Sequence, residues 1–152
     1  MFSQTTEYAL RAMSWLALSP DRLVPTGQLA ERTKVPSHYL AKVLQQLAAA
    51  NLIAGRRGVH GGYRLTRPAA TITLLDVVRS VATVERITSC PLGLENHGPN
   101  LCPLHRRIDD AAKVLIDTYS SVTLQDLVEN PDRKPLCDKE TTTRLTVSAG
   151  RR

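Results

Sequence analysis

The segment KVPSHYLAKVLQQLAAANLIAGRRGVHGGYRLTR, residues 34–67, decides the fold. Within it Leu40, Val43, Leu44 and Leu47 recur at spacings of three and four, the apolar stripe of a helix packed on one side. Ser37, with Pro36 just ahead of it, reads as the N-cap of that helix. Asn51 and Gly55 mark its exit. Just upstream, Thr26 reads as the cap of a short helix through Gln28, Leu29, Ala30 and Glu31, and Lys34-Val35-Pro36 is a turn. A short helix, a tight turn and a longer helix make a helix–turn–helix. Downstream, short strands at Leu52–Arg56 and Tyr63–Leu65 flank a loop rich in glycine and arginine, which together form a wing. Glycines let such a loop turn sharply and bring its backbone close to another surface.

Working outward, Thr5 to Leu18 reads as a helix with Tyr8, Met13, Leu16 and Ala17 on its apolar face, ended by Ser19-Pro20-Asp21. Thr73 caps a helix through Leu74, Val77, Val78 and Val81. Residues 88–103 are irregular and carry Pro91, Pro99, Gly93, Gly98, Cys90 and Cys102. A long helix follows from Pro103, a residue suited to a first turn, with Leu104, Ile108, Ala111, Leu115, Tyr119 and Val122 as its stripe. Thr123 starts a last short helix, Leu124 to Val128. The expected fold class is mainly α with a small β-hairpin wing: a winged helix–turn–helix at 1–83, a cysteine-bearing sensor loop at 84–102, a dimerisation helix and short C-terminal helix at 103–130, and a disordered tail at 131–152.

Charge separates the two halves of the chain. Residues 1–89 hold eleven Lys/Arg against five Asp/Glu, whereas residues 90–152 hold nine of each, so the whole net charge of +6 lies in the first part. A basic half beside a neutral one suits a polyanionic partner. No apolar run approaches the ~18 residues a membrane span needs, and the first ten residues lack the pattern of a secretory signal, so a cytoplasmic location is expected. Three cysteines, an odd number, do not make a disulfide framework. No phosphate loop, nucleotide motif or carboxylate pair is present, which argues against an enzyme and against a small-molecule substrate.

Double-stranded DNA is the expected partner. A recognition helix enters the major groove by its N-terminal part, here Ser37, His38, Tyr39 and Lys42. The hydroxyls of Ser37 and Tyr39 can bond phosphates, and His38 and Lys42 can reach phosphates or base edges. The second contact is the wing, with Arg56, Arg57 and His60 among Gly58, Gly61 and Gly62. An arginine on a thin loop can enter a minor groove and respond to its width. A winged-helix module that binds protein instead of DNA is the alternative.

The run Glu7-Tyr-Ala-Leu-Arg11, the helix start Val35-Pro-Ser-His-Tyr-Leu40 and, above all, Arg57-Gly-Val-His-Gly-Gly-Tyr-Arg-Leu65 resemble the Rrf-two family of bacterial transcriptional regulators over about residues 1 to 130. The resemblance implies a homodimer on a partly palindromic DNA site, with the helix from residue 103 to about 120 carrying the dimer contact. Relatives of the iron–sulfur and nitric-oxide-sensing type hold an iron–sulfur cluster on three loop cysteines. Here Cys90 and Cys102 match the outer two, His105 matches a histidine ligand, Asn96 stands in place of the middle cysteine, and Glu7 matches an acidic residue lent by the partner subunit. The implied ligand set is Cys90, Cys102, His105 and the Glu7 of the other protomer around a [2Fe–2S] cluster, with His97 less favoured. Imidazole is an accepted ligand in such centres. Other roles stay open: Glu7 as the i+4 partner of Arg11, His105 as an ordinary helix residue, the cysteines as plain thiols or a metal-free thiol switch, and zinc as the metal. Cys137 reads as incidental.

Overall fold

The computed structural model describes residues 3–93 and 100–129. The expected fold class is what it contains: six α-helices and one small antiparallel hairpin.

The first helix, α1 (Gln4–Ala17), is the centre of the core. Ser3 caps it, its hydroxyl accepting from the Thr6 amide at 3.2 Å. Ala9, Ala12, Met13 and Leu16 are wholly buried, with Tyr8 and Trp15 nearly so. This broad apolar face lets the other helices pack around α1. Helices α2 (Thr26–Thr33) and α3 (Ser37–Ala49) follow, joined through Lys34 in the left-handed region at φ 55°. Leu29 of α2 and Leu40, Val43, Leu44 and Leu47 of α3 all lie inside, as their spacing requires.

Both helix starts differ from the expectation by one residue. Thr26 and Ser37 are the first helical residues, and the N-cap positions belong to Pro25 and Pro36, without a side-chain cap. Each proline holds the extended φ of a chain entering a helix. Its carbonyl then accepts the first bond: Leu29 N to Pro25 O at 3.0 Å, and Leu40 N to Pro36 O at 2.9 Å.

Strands β1 (Ile53–Arg56) and β2 (Gly62–Leu65) pair antiparallel, Ile53 opposite Leu65 and Arg56 opposite Gly62. A third extended residue, Val24, bridges to Tyr63. Helix α4 (Leu74–Val81) begins with a capping box in which the Asp76 amide donates to Thr73 Oγ1 and the Thr73 amide donates to Asp76 Oδ2, both at 3.1 Å. Helix α5 (Pro103–Ser120) runs for 18 residues, and α6 (Leu124–Val128) repeats the capping box with Thr123 and Asp126. The amide of Leu74 donates to Val122 O at 3.0 Å and that of Leu124 to Ile72 O at 2.9 Å. These bonds carry α6 back to α1 and bury Leu124 completely.

Helix α5 is the exception to the packing. Its one buried residue is Asp109, while Leu104, Ile108 and Val114 are 64%, 46% and 65% exposed. No helix among the described residues is long and apolar enough to cross a membrane.

Candidate nucleic-acid interface and cysteine–histidine cluster

The buried stripe of α3 fixes which residues the helix presents outward. Ser37, His38 and Lys42 are exposed, and Tyr39 is 41% exposed. Spacings of four and three put His38, Lys42 and Gln45 on one line opposite the stripe. Gln45, exposed as well, was missed from sequence, although its place three residues after Lys42 marks it. Its amide can pair bidentately with adenine. Tyr39 stands to one side of this line. Its ring packs edge-on against Tyr8 at 6.0 Å and lies 5.1 Å from the ring of His38. The Arg11 guanidinium sits over Tyr8, donates to the Thr33 carbonyl at 3.3 Å and is ion-paired with Glu7. Within one chain, therefore, Glu7 has the i+4 partner that its spacing offered.

The wing presents a second basic surface beside α3. Arg56, Arg57, Val59 and His60 are exposed. Arg56 Nη2 donates to the His60 carbonyl at 3.1 Å, bracing the loop across its width, and Gly61 N closes a turn onto Gly58 O at 2.9 Å. Gly62 serves the base of the wing rather than its tip: it is buried, at φ 151°, and a Cβ there would lie 2.4 Å from Val24 O. Gly61 is similarly confined, since its Cβ would meet Arg56 O at 2.3 Å. Val59, 97% exposed between Arg57 and His60, was also missed. Only the folded loop reveals that an apolar side chain stands at its tip.

On another part of the molecule three residues expected to act together do meet. Cys102 is the N-cap of α5 and His105 lies in its first turn, so the i,i+3 spacing puts both on one face. Cys90 comes from the preceding segment and is 8% exposed. The Nδ1 atom of His105 is 3.2 Å from Cys102 Sγ and 3.9 Å from Cys90 Sγ. Neither cysteine is in a disulfide. Two thiols and an imidazole are the donor types that iron–sulfur or soft-metal sites use. They supply three of the four ligands such a site needs. In their present arrangement they form a hydrogen-bonded trio, and among the described residues no group of three His, Cys, Asp or Glu is already disposed as a metal cage. His97, Asn96 and Cys137 lie outside the described residues.

One turn along α5, Asp109 accepts from Arg86 Nε and Nη2, each at 2.6 Å, and from the Ile87 amide at 2.9 Å. The Arg86 hydrogen bonds hold the Asp109 carboxyl at about 2, below the usual 3.8, against the opposing effect of burial.

Comparison with known proteins gives a consistent answer. The profile of the Rrf2 (Rrf-two) family, described as iron-dependent transcriptional regulator, matches residues 2–130. A protein of Aquifex aeolicus assigned as an HTH-type transcriptional regulator is 29% identical over 131 residues, covering 84% of this chain and 91% of its own length. Among solved structures, CymR, the global cysteine regulator of B. subtilis, is similar at 29% identity and a TM-score of 0.67, over 86% of this chain and 97% of its own. IscR of T. potens shares the fold at 23% identity and a TM-score of 0.70, over 86% of this chain and 87% of its own.

Proposed function

The chain belongs to the Rrf2 family of DNA-binding transcriptional regulators, and from that premise we propose that it grips operator DNA as a homodimer and reads iron, redox state or nitric oxide through Cys90, Cys102 and His105. It is a regulator and not an enzyme, as its family and its curated relative are.

The sensing role rests on one observation, the approach of both sulfurs to a single imidazole nitrogen. The iron-dependent description of the family supports iron at this site, and two thiols with an imidazole are donors that suit an iron–sulfur cluster, here read as [2Fe–2S]. Cys90, Cys102 and His105 of one protomer would hold it, with Glu7 of the other as the fourth ligand. When bound, such a cluster supplies one-electron redox chemistry and lability toward oxidants and nitric oxide. The chain's own part is to couple the site to DNA. Cys102 stands at the N-cap position of α5, so a change at the sulfurs acts on the start of the helix whose exposed Leu104 and Ile108 would form the dimer contact. A shift of α5 alters the spacing of the two α3 helices and wings. A dimer also suits the energetics, because an exposed apolar stripe on an 18-residue helix favours burial against a second copy.

A metal-free thiol switch is the second reading. The observation in its favour is that neither cysteine is in a disulfide and that Cys102 Sγ lies 3.2 Å from an imidazole nitrogen able to take up a thiol proton. Oxidation would join Cys90 and Cys102 as a disulfide, two electrons passing to the oxidant and two protons leaving.

The test is the visible spectrum, with iron and sulfide analysis, of protein purified without oxygen. DNA affinity of the unmodified chain and of the Cys90→Ser/Cys102→Ser variant is then measured under oxidising and reducing conditions. Iron and sulfide in near-equal amounts support the cluster. A colourless protein whose affinity follows thiol oxidation supports the switch. Affinity that ignores both cysteines in every condition overturns the sensing role.

A further inference from the structure

Residues 82–90 have no regular secondary structure, yet hydrogen bonds tie them down. At the end of α4, Arg79 Nε donates to the Val84 carbonyl at 3.4 Å. Two residues on, Arg86 grips Asp109 with the Nε–Nη2 edge of its guanidinium, and the neighbouring Ile87 amide donates to the same carboxylate. Asp109 is 8% exposed and is the residue of α5 that is buried. A carboxylate withdrawn from water is tolerated only when its charge and lone pairs are matched. A bidentate guanidinium does this and fixes direction as well as distance.

The chain positions give the pair its meaning. Asp109 is four residues after His105, one turn along the same face of α5, and Arg86 is four residues before Cys90. The segment therefore lies antiparallel to the start of α5, with two rungs between them: Arg86 to Asp109, and Cys90 to His105. The second rung is long, at 3.9 Å, and the first is short.

We propose that the Arg86–Asp109 pair is a positioning latch, which lays residues 86–90 along α5 and thereby keeps the Cys90 thiol within reach of Cys102 and His105. The latch rests on the reading of those three residues as one centre. With the latch opened, the segment before Cys90 loses its charged anchor and is left with the Ile87–Asp109 bond and the Arg79–Val84 tether, so the thiol samples a larger volume. Bringing it back costs the conformational freedom that the latch had already removed. The hydrogen bonds of the pair run between Arg86, Asp109 and the Ile87 amide, so both side chains act through where Cys90 lies. A lysine at 86 retains the charge but is a single-point donor that cannot span both carboxylate oxygens.

The experiment uses the full chain carrying Cys137→Ser, reduced and metal-free, so that only Cys90 and Cys102 remain as thiols. The probe is phenylarsine oxide, which closes on two neighbouring thiols with release of water. Arg86→Gln is expected to weaken capture about tenfold, Arg86→Lys by less, and Asp109→Asn by as much as Arg86→Gln. Arg67→Gln removes an arginine about as exposed as Arg86 from its ion pair with Asp76, outside the latch, and is expected to leave capture unchanged. Thermal melting is followed alongside. Arg86 is 43% exposed on its side chain and leaves the Ile87 bond in place, so Arg86→Gln decides the matter even if Asp109→Asn fails to fold. Unchanged capture by Arg86→Gln, whatever its melting temperature, overturns the latch. Failure of the parent Cys137→Ser chain to capture the probe overturns the common centre instead, and the latch with it.

Discussion

Val24 and Tyr63 exchange both of their backbone hydrogen bonds, each at 2.9 Å. This pins the base of the wing to the chain between α1 and α2, and it brings the Val24 carbonyl so close that only a residue without a Cβ fits at Gly62. Gly62→Ala forces either the positive φ onto an alanine or the Val24 bridge apart. The expected loss of stability is about 1–3 kcal/mol, read by thermal or urea unfolding. DNA affinity falls with it, because the wing no longer stands at a fixed angle beside α3. Wild-type stability in this variant would mean that β2 can shift away from Val24 at little cost.

Phosphate and base contacts are expected to contribute differently to DNA binding. Arg57 and Lys42 are exposed cations on neighbouring surfaces. If each meets a phosphate, Arg57→Ala and Lys42→Ala each lower the slope of log affinity against log salt by about one. If the outward line of α3 meets base edges, His38→Ala and Gln45→Ala should instead change the preference among operator sequences, with about 1–3 kcal/mol of discrimination per good contact. Equal effects on specific and random DNA from all four variants would remove α3 from base reading.

How much of this was legible in advance depended on the range of the interaction. The stripe Leu40, Val43, Leu44, Leu47 wrote α3 into the sequence because helix burial repeats locally. The capping residues Thr73 and Thr123 were visible for the same reason. At Thr26 and Ser37 the preceding prolines took the cap position, so a good capping residue became the first helical one. Pairings across long separations left no local trace. Val24 with Tyr63 and Arg86 with Asp109 each join distant segments through residues that look like ordinary surface or strand positions. The Cys90–Cys102–His105 trio was recognisable from residue type and resemblance, whereas the latch beside it was not. Gln45 and Val59 were missed because their significance depends on which way a helix faces and where a loop ends.

The exposed stripe on α5 carries a prediction about assembly. Leu104 and Ile108 are one turn apart and more than two-fifths exposed, so neither anchors the core of a single chain. Ile108→Asp is therefore expected to leave the melting of the isolated protomer nearly unchanged while weakening the homodimer by at least tenfold, since a desolvated charge at an apolar contact costs about 1.4 kcal/mol or more. Sedimentation across a concentration series reads this directly. A variant that dimerises as tightly as the parent would place the contact elsewhere, and operator affinity should then be unaffected as well.

Acid should open the region around the cysteines before it unfolds the winged domain. The Arg86 hydrogen bonds hold Asp109 at about 2 against an ordinary 3.8. A carboxyl whose folded value is depressed adds stability that is fully present above its unfolded value, and this contribution disappears as pH falls through the folded one. The window for Asp109 therefore runs from just under pH 4 down to about pH 2. Asp126, lowered by its hydrogen bonds from Thr123, weakens in the same direction at α6, so the comparison must isolate Asp109. In the reduced protein, the stability difference between the unmodified chain and Asp109→Asn should be constant near neutrality and shrink steadily across that window. Amide exchange at Ile87, whose N–H is bonded to the same carboxylate, should accelerate in parallel in the unmodified chain while core amides of α1 stay protected. A stability difference that persists unchanged to pH 2 would mean that ionisation of Asp109 is not what sets its contribution, and would overturn the acid opening of this region.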